Sequence, residues 1–323
     1  MKTRIGYGLG NYAQVKGGFV IHGHDGGMEG GLARLSYLPE LGLGWVILLN
    51  ASSMQAMKDI DVLVRNTLTR DLPRPAAPPP VQVSPETRRS FTGWYVSDSP
   101  RMELFHFLDR LLGPVHLRFS GDALVLRTLW GKRKEYLPVT DRLYREKDDP
   151  AATLVLLDTP GGRKVGQSYG SLASIAAPRV WLQSGLLVLL VLGLLAMASA
   201  VLFGAVWIPR WLFGRLRRAP AIAVRALPLL SVLLLVGSVA LLAVSGDDIL
   251  RRFGRPTPWS VGFTVLTLGF ALASALSLIL AFGPRSRFVG RWVRWHARAA
   301  ALACGLCTAT LGAAGFLGLQ SWR

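Results

Sequence analysis

The sequence predicts a mixed fold in three parts: an α/β segment over residues 1–72, a small all-β domain over residues 86–170, and a four-helix transmembrane region over residues 181–323. Two observations predict this division. Long apolar runs separated by arginine-rich stretches begin at Leu182, whereas the residues before it have the composition of a soluble chain. A proline-rich stretch over residues 73–85 predicts an extended linker between the first two parts.

The first part is predicted to be rich in strands and to close with a helix. Short apolar runs bounded by glycine and proline indicate strands at residues 18–24, 32–38 and 44–50. Turn residues between the last two predict that they pair as an antiparallel hairpin. Ser52 or Ser53 is a candidate N-cap for a helix that follows. Apolar residues recur in that helix at helical spacing and predict one buried face. These residues are Met57, Ile60, Val64 and Leu68.

The middle part shows short apolar runs separated by turn residues, a pattern typical of a small barrel or sandwich. Gly121-Asp122 and Gly161-Gly162 mark tight turns between these runs. The predicted strands lie at residues 91–96, 114–119, 123–129, 134–139 and 153–158. The polar residues of this domain form no constellation that indicates a particular chemistry.

Four runs in the last part reach the roughly 20 residues needed to cross the hydrocarbon of a bilayer. They lie at about residues 182–208, 226–245, 260–282 and 299–319. No ionisable side chain lies inside any of them, which argues against a proton relay or an ion path. The sequence therefore predicts a multi-pass cell membrane protein whose constant partner is the lipid bilayer.

The charges of the last part predict its orientation. Residues 182–323 contain 14 arginines and no lysine against Asp247 and Asp248, so they supply +12 of the net +18. The first and third loops hold five arginines each, and the second holds three together with both aspartates. The positive-inside rule then puts the first and third loops in the cytoplasm and residues 1–180 outside it. Since these arginines flank apolar runs, membrane topology explains the basic charge, and no nucleic-acid partner is expected.

The stretch HGHDGGMEGG, residues 22–31, is the strongest candidate for a functional site. His22 and His24 are two residues apart on a predicted strand, so both point to one face and could bind zinc with Asp25 or Glu29. No other histidine lies in this part of the sequence. The favoured prediction is therefore that the protein has no metal and no other cofactor. Gly8 to Ala13 fits GxGxxA, but no strand precedes it, as a phosphate-binding loop would require.

The ordered set IGYGLGNY, HGHDGG and LPELGLGWVILLN resembles the C-terminal end of the β-lactamase-related serine hydrolases. This family includes class C β-lactamases, D-alanyl-D-alanine carboxypeptidases and related esterases. The resemblance implies that residues 1–72 are the C-terminal fragment of an α/β serine β-lactamase-like domain. It also implies hydrolysis of an amide or ester through an acyl-enzyme, with a cell-wall peptide, a β-lactam or an ester as substrate.

The resemblance implies roles for four consecutive residues. His24 takes the position of the family's Lys or His in its third motif and lines the catalytic cleft. Asp25 takes the position of the family's Thr in substrate binding, which is a departure from the pattern. Gly26 lets the strand backbone approach the substrate closely. The backbone N–H of Gly27 is a donor of the oxyanion hole, which stabilises charge on the attacked carbonyl.

The family's nucleophile, the serine of Ser-x-x-Lys, is absent from this sequence, and so is a Tyr-x-Asn motif ahead of the glycine-rich strand. We therefore expect the chain to be the C-terminal portion of a longer, membrane-anchored hydrolase and to be inactive alone. The alternative is a non-catalytic membrane protein that uses the hydrolase remnant and the β domain to bind a partner or the cell wall.

Overall fold

A computed structural model describes residues 6–28, 30–99, 106–168, 170–216 and 218–321. The chain divides into two compact units, Met1–Gln183 and Ser184–Arg323. The first unit contains a sheet and a barrel, and the second is helical.

The sheet of the first unit is an antiparallel meander whose five strands follow one another in chain order. Tight turns make this order possible: Gly17 and Gly18 adopt positive φ between the second and third strands, and Gly42 does so between the fourth and fifth. The strands are β1 (Gly6–Gly8), β2 (Asn11–Lys16), β3 (Phe19–Met28), β4 (Gly31–Leu38) and β5 (Leu43–Leu49).

One face of this sheet is covered by helix α1 (Met54–Leu68). Ser53 caps the helix by accepting a hydrogen bond from the backbone N–H of Ala56. Apolar side chains from alternate strand positions pack against the helix and form the core of this part. Its buried members are Phe19, Ile21, Leu38, Trp45, Ile47 and Met57. The predicted hairpin of the fourth and fifth strands and the predicted helix with its cap at Ser53 are confirmed.

The proline-rich segment leads into a closed antiparallel barrel of eight strands. Two short helices accompany it, α2 (Pro85–Phe91) before the first strand and α3 (His106–Leu112) after it. The strands are β6 (Gly93–Ser97), β7 (Val115–Ser120), β8 (Ala123–Thr128), β9 (Arg133–Pro138), β10 (Leu143–Arg145), β11 (Leu154–Thr159), β12 (Gly162–Gln167) and β13 (Gly170–Ile175).

The interior of the barrel is filled with side chains, as expected for eight strands. Helix α2 contributes Phe91, which is fully buried among barrel residues such as Tyr95 and Leu117. Asp141 holds this helix in place by accepting hydrogen bonds from the backbone N–H of Ser84 at 2.7 Å and the hydroxyl of Thr87 at 2.5 Å. The barrel is therefore a packed body with one helix anchored to it.

The second unit is helical. Its helices are α4 (Ala177–Leu212), which begins in the first unit, α5 (Ala219–Ser245), the short α6 (Ile249–Phe253), α7 (Pro258–Phe282) and α8 (Arg291–Ala313). Among the described residues, α4, α5 and α7 are long and apolar enough to cross a membrane. Met197, Val232, Phe270 and Cys304 meet in the core of this unit. These features identify the chain as a membrane protein.

The predicted fold class is wrong. Residues 6–72 do not form a fragment of an α/β, β-lactamase-like domain, because every described strand pair is antiparallel and tight turns leave no room for crossover helices. The α-helix described in this part comes after the last strand. The all-β expectation for the next part is met by a closed barrel.

The predicted four-helix transmembrane region is also corrected: among the described residues, three helices, α4, α5 and α7, are long and apolar enough to cross a membrane. The fourth apolar run, residues 299–319, is divided. Helix α8 begins earlier, at Arg291, and so includes three arginines, and it ends at Ala313. Beyond that point Gly315 and Gly318 adopt positive φ, and the chain turns instead of continuing as a helix.

Phe91→Ala is expected to lower the free energy of unfolding by about 3–5 kcal/mol, because it empties the centre of the barrel. Leu157→Ala is the matched control, since Leu157 lies on the exposed side of β11, and its cost should stay below about 1 kcal/mol. Thermal unfolding of the full chain in detergent micelles, followed by near-ultraviolet circular dichroism, measures both. Equal costs would contradict the packing described.

Candidate functional site

The glycine-rich end of β3 lies at an open edge of the sheet. Its pairing with β2 ends at Tyr12 and Gly23, whereas its pairing with β4 continues to Met28 and Gly31. Within the described residues, positions 24–28 therefore have a strand partner on one side only. Alternate residues of this stretch direct their backbone N–H and C=O groups to the unpaired side, where they are available to a ligand.

The four predicted site residues, 24–27, are consecutive on this open stretch, and all four are exposed. Alternation along the strand separates them by face. Asp25 lies on the face that packs on α1, whereas His24 lies on the opposite face together with His22. The structure thus brings the predicted residues together along one strand and places the side chains of His24 and Asp25 on opposite faces.

Asp25 is held by a buried arginine on the neighbouring strand. Arg34 lies directly opposite Asp25 and donates two hydrogen bonds to its carboxylate, from Nε to Oδ1 at 2.7 Å and from Nη2 to Oδ2 at 3.1 Å. The hydroxyl of Tyr12 donates a third, to Oδ1, at 2.8 Å. A bidentate arginine–carboxylate pair of this kind fixes geometry as well as charge. The Asp25 carboxylate is therefore committed to the sheet.

Arg34 also reaches the helix beneath the sheet. Its Nη1 lies 3.1 Å from Oδ2 of Asp61, a buried residue of α1. Asp61 accepts a further hydrogen bond from the indole N–H of Trp45 at 3.1 Å, and Lys16 Nζ lies 3.7 Å from the same Oδ2. The two aspartates and the arginine form a continuous ionic chain from β3 to α1.

This chain sets the protonation of its members. Burial raises the pKa of the Asp25 carboxyl, but the hydrogen bonds from Arg34 and Tyr12 outweigh it, and the net pKa lies below the usual value. Burial lowers the pKa of the Lys16 ammonium, which Asp61 only partly offsets. Asp25 is therefore ionised at neutral pH and keeps Arg34 paired.

The face opposite α1 contains the histidines and an uncovered apolar surface. His22 stacks on Tyr37 with ring centroids 5.5 Å apart. Asn11 joins this group, since its amide donates to the Tyr37 hydroxyl and its Oδ1 accepts from the backbone N–H of Gly23 at 3.1 Å. Four large apolar side chains on the same face are exposed: Met28 by 74%, Leu35 by 45%, Val46 by 61% and Leu48 by 74%. An apolar patch of this kind is typical of a surface that binds a partner.

Arg34 and Asp61 are functional neighbours that sequence reasoning missed. The sequence does indicate that Asp61 is buried, because it lies four residues after Met57 on the apolar stripe of the predicted helix. A carboxylate at a buried helical position requires a cation or donors close by. Arg34 gives a similar signal on β4, where it falls at a position that points to the core.

The metal alternative has limited geometry to support it. Among the described residues, no three His, Cys, Asp or Glu side chains come together as a possible metal site. Asp25, one of the proposed ligands, is engaged by Arg34. Glu29, the other, lies outside the described residues.

No family model matches the chain, and no curated protein matches it. A crystal structure of SurE with D-Leu shows a partial likeness at 17% identity and a TM-score of 0.29, over 54% of this chain and 40% of that one. A crystal structure of SurE matches at 16% identity and a TM-score of 0.28, over 54% and 39% of the two chains. This chain therefore spans less than half of the SurE chains, and a likeness at these scores assigns neither fold nor function.

Gly23→Ala is expected to destabilise the sheet by about 1–3 kcal/mol through overpacking. A Cβ at Gly23 would lie 2.2 Å from the backbone oxygen of Leu35, which cannot move without β4. Gly26→Ala, three residues along, is the control, because its Cβ would meet Ala33 at an ordinary 3.7 Å. Thermal unfolding of the full chain compares them. A cost for Gly26→Ala as large as that for Gly23→Ala would contradict the close approach at Gly23.

The lowered pKa of Asp25 predicts a pH dependence of stability. A carboxyl whose folded pKa is depressed stabilises the fold above its unfolded pKa of about 3.9 and loses that contribution as the pH falls through the folded value. Asp25→Asn removes this contribution, so the decrease in melting temperature from about pH 6 to about pH 3 should be smaller than in the unmutated protein. Melting curves across this range test it, and identical pH profiles would show that Asp25 contributes no linkage.

Proposed function

We propose that residues 6–72 form one wall of the acyl-transfer site of a membrane-anchored serine hydrolase, related to the β-lactamases and D-alanyl-D-alanine carboxypeptidases. The observation that carries this proposal is the open end of β3, where His24, Gly26 and Gly27 are exposed along an unpaired strand edge. An acyl-transfer site needs a backbone that a carbonyl substrate can approach closely, and glycines on an open edge provide one.

Each residue of the wall has a role in this proposal. The backbone N–H of Gly27 donates to the oxygen that becomes negatively charged during acylation. His24 lines the cleft and exchanges a proton or a hydrogen bond with the substrate. Asp25 holds the strand in place through Arg34 and does not contact the substrate, because its carboxylate already accepts three hydrogen bonds.

The nucleophile of the proposed enzyme comes from a separate segment of polypeptide, since residues 1–323 contain no Ser-x-x-Lys. The uncovered apolar face of the sheet supports this arrangement. Met28, Leu35, Val46 and Leu48 lie on the same face as His24, so a segment that covers them would also bring its side chains to the histidine.

The three apolar helices anchor the hydrolase to the membrane. The arginine distribution of the sequence favours an extracytoplasmic position for residues 1–180, where cell-wall peptides and β-lactams are encountered. The proposed reaction is hydrolysis of an amide or ester through a covalent acyl-enzyme.

A second candidate function is a non-catalytic membrane protein that binds a partner or the cell wall through its sheet and barrel. One observation favours it: Asp25 occupies the position where the related hydrolases have threonine, and it is locked by Arg34. In this case the open edge of β3 binds an extended segment by strand addition without cleaving it.

The proposed hydrolase is tested in its native membranes. Membranes are treated with a fluorescent β-lactam or a fluorophosphonate, and the protein is captured with an antibody against residues 86–170. We expect the captured protein to be covalently labelled, because an active serine is acylated by these probes. Captured protein without label would contradict the hydrolase and leave the binding protein as the better account.

Two variants in the native gene test the site. His24→Gln should slow labelling on the order of 100-fold, as expected for loss of a group that handles a proton. His22→Gln is the matched control, because His22 is two residues away on the same face and stacks on Tyr37. Equal effects of the two substitutions would contradict a specific role for His24.

A further inference from the structure

We propose that one end of the helical unit binds the phosphodiester headgroups of anionic membrane phospholipids. The binding surface is the basic connection between α7 and α8, residues 283–298. Binding of this kind requires the membrane location of the chain and is independent of the proposed hydrolase. The ligand is identified by charge and shape, since planar guanidinium groups match phosphate oxygens in a bidentate geometry.

The arginines of the basic connection fall into two groups. Two of them hydrogen-bond to backbone carbonyls, either within the basic connection or at the end of α7. Arg294 donates from Nε to the carbonyl of Ser286 at 3.0 Å and from Nη2 to that of Val289 at 3.2 Å. Arg298 donates from Nε to the carbonyl of Ala281 at 3.1 Å. These bonds hold the basic connection against the ends of α7 and α8.

The remaining three arginines, at positions 285, 287 and 291, are exposed and have no carboxylate partner within the described part of the chain. Arg291 lies over the ring of Trp292, with the guanidinium carbon 5.1 Å from the ring centroid. Acids are scarce in this unit, because the only ones after residue 182 are Asp247 and Asp248. Asp248 is already paired with Arg252 at 3.2 Å, in the connection between α5 and α7.

Exposed aromatic side chains accompany these three arginines. Phe288, Trp292 and Trp295 are all exposed within the basic connection. Tryptophan is enriched at the level of lipid headgroups, where its ring is in the apolar layer and its N–H meets water. Arginines at that level meet lipid phosphates and do not have to reach into the aqueous phase.

Packing places the basic connection beside a second arginine-rich segment. Ala221 and Val224 at the start of α5 pack with Val289 and Ala297, so the connection between α4 and α5 lies at the same end of this unit. Arg210 in the last turn of α4 and Arg215 and Arg218 in the connection are exposed, whereas Arg217 lies outside the described residues. Positive charge is thus concentrated at one end, and a field of this kind attracts anionic lipid.

A free phosphate ion would use the arginines but not the aromatic rings. A phospholipid uses both, since its phosphate meets the guanidinium groups while its glycerol and acyl chains contact Phe288 and the tryptophans. The exposed rings therefore favour a lipid headgroup as the natural ligand.

The test uses the full chain purified in a neutral detergent. Phosphatidylglycerol or phosphatidylcholine is titrated into the micelles, and bound lipid is counted by native mass spectrometry. We expect phosphatidylglycerol to bind in preference to phosphatidylcholine and its binding to weaken as sodium chloride is raised. Arg285→Gln combined with Arg287→Gln should weaken phosphatidylglycerol binding about tenfold or more.

The matched control is Arg251→Gln with Arg255→Gln, which removes the same charge from the connection between α5 and α7, and it should change binding less than about twofold. Equal weakening by both double variants would overturn the proposal, because it would show a response to net charge alone. Inorganic phosphate that displaces phosphatidylglycerol at equimolar concentration would overturn the lipid as ligand. If the Arg285/Arg287 variant fails to fold, two other measurements test the proposal. One is phosphatidylglycerol binding by Arg285→Lys combined with Arg287→Lys, which retains the charge. The other is the salt dependence of phosphatidylglycerol binding by the unmutated chain. Indifference to salt would then overturn the proposal.

Discussion

The rest of the first unit's sheet depends on one buried cation. Arg34 is almost inaccessible to water and has a carboxylate on each side, Asp25 on the neighbouring strand and Asp61 on the helix. An arginine in this position requires compensation by carboxylates, since a buried charge without compensation is very costly. The ionic chain thus fixes the register of β3 against β4 and the position of α1 beneath them. The open glycine stretch obtains its shape from this arrangement, although its glycines make no hydrogen bond with the guanidinium.

The strand edges are paired in the barrel but partly unpaired in the sheet. The barrel closes on itself, pairs its strand edges and fills its interior with its own side chains. The sheet leaves the glycine-rich end of β3 and the outer edge of β5 unpaired, and one of its faces is apolar and exposed.

Local structure could be predicted from the sequence wherever periodicity and turn residues agreed. The hairpin around Gly42 and the helix capped by Ser53 follow from such agreement. The fold class could not, because the resemblance of motifs around His24 implied an architecture that the strand connections do not have. The prediction of a fourth span at residues 299–319 differs from the structure for a local reason. Two glycines with positive φ turn the chain after Ala313, and a hydropathy pattern does not contain that information. At the site, the position of His24 on a strand was predictable, but the predicted strand ended there, whereas β3 continues to Met28. The Arg34–Asp61 contact was not predictable either, since it joins elements that only tertiary packing brings together.

The last strand of the sheet, β5, has a consequence for handling the protein. It forms an edge, it is apolar on both faces, and neither proline nor a charged residue interrupts it between Leu43 and Leu49. Natural proteins usually protect such an edge, because it is a template for strand addition by any extended chain. If β5 remains uncovered during synthesis or purification, its unpaired backbone groups are available for pairing with another copy of the chain. The sheet thus has a second unpaired edge besides the open end of β3, and this one favours self-association.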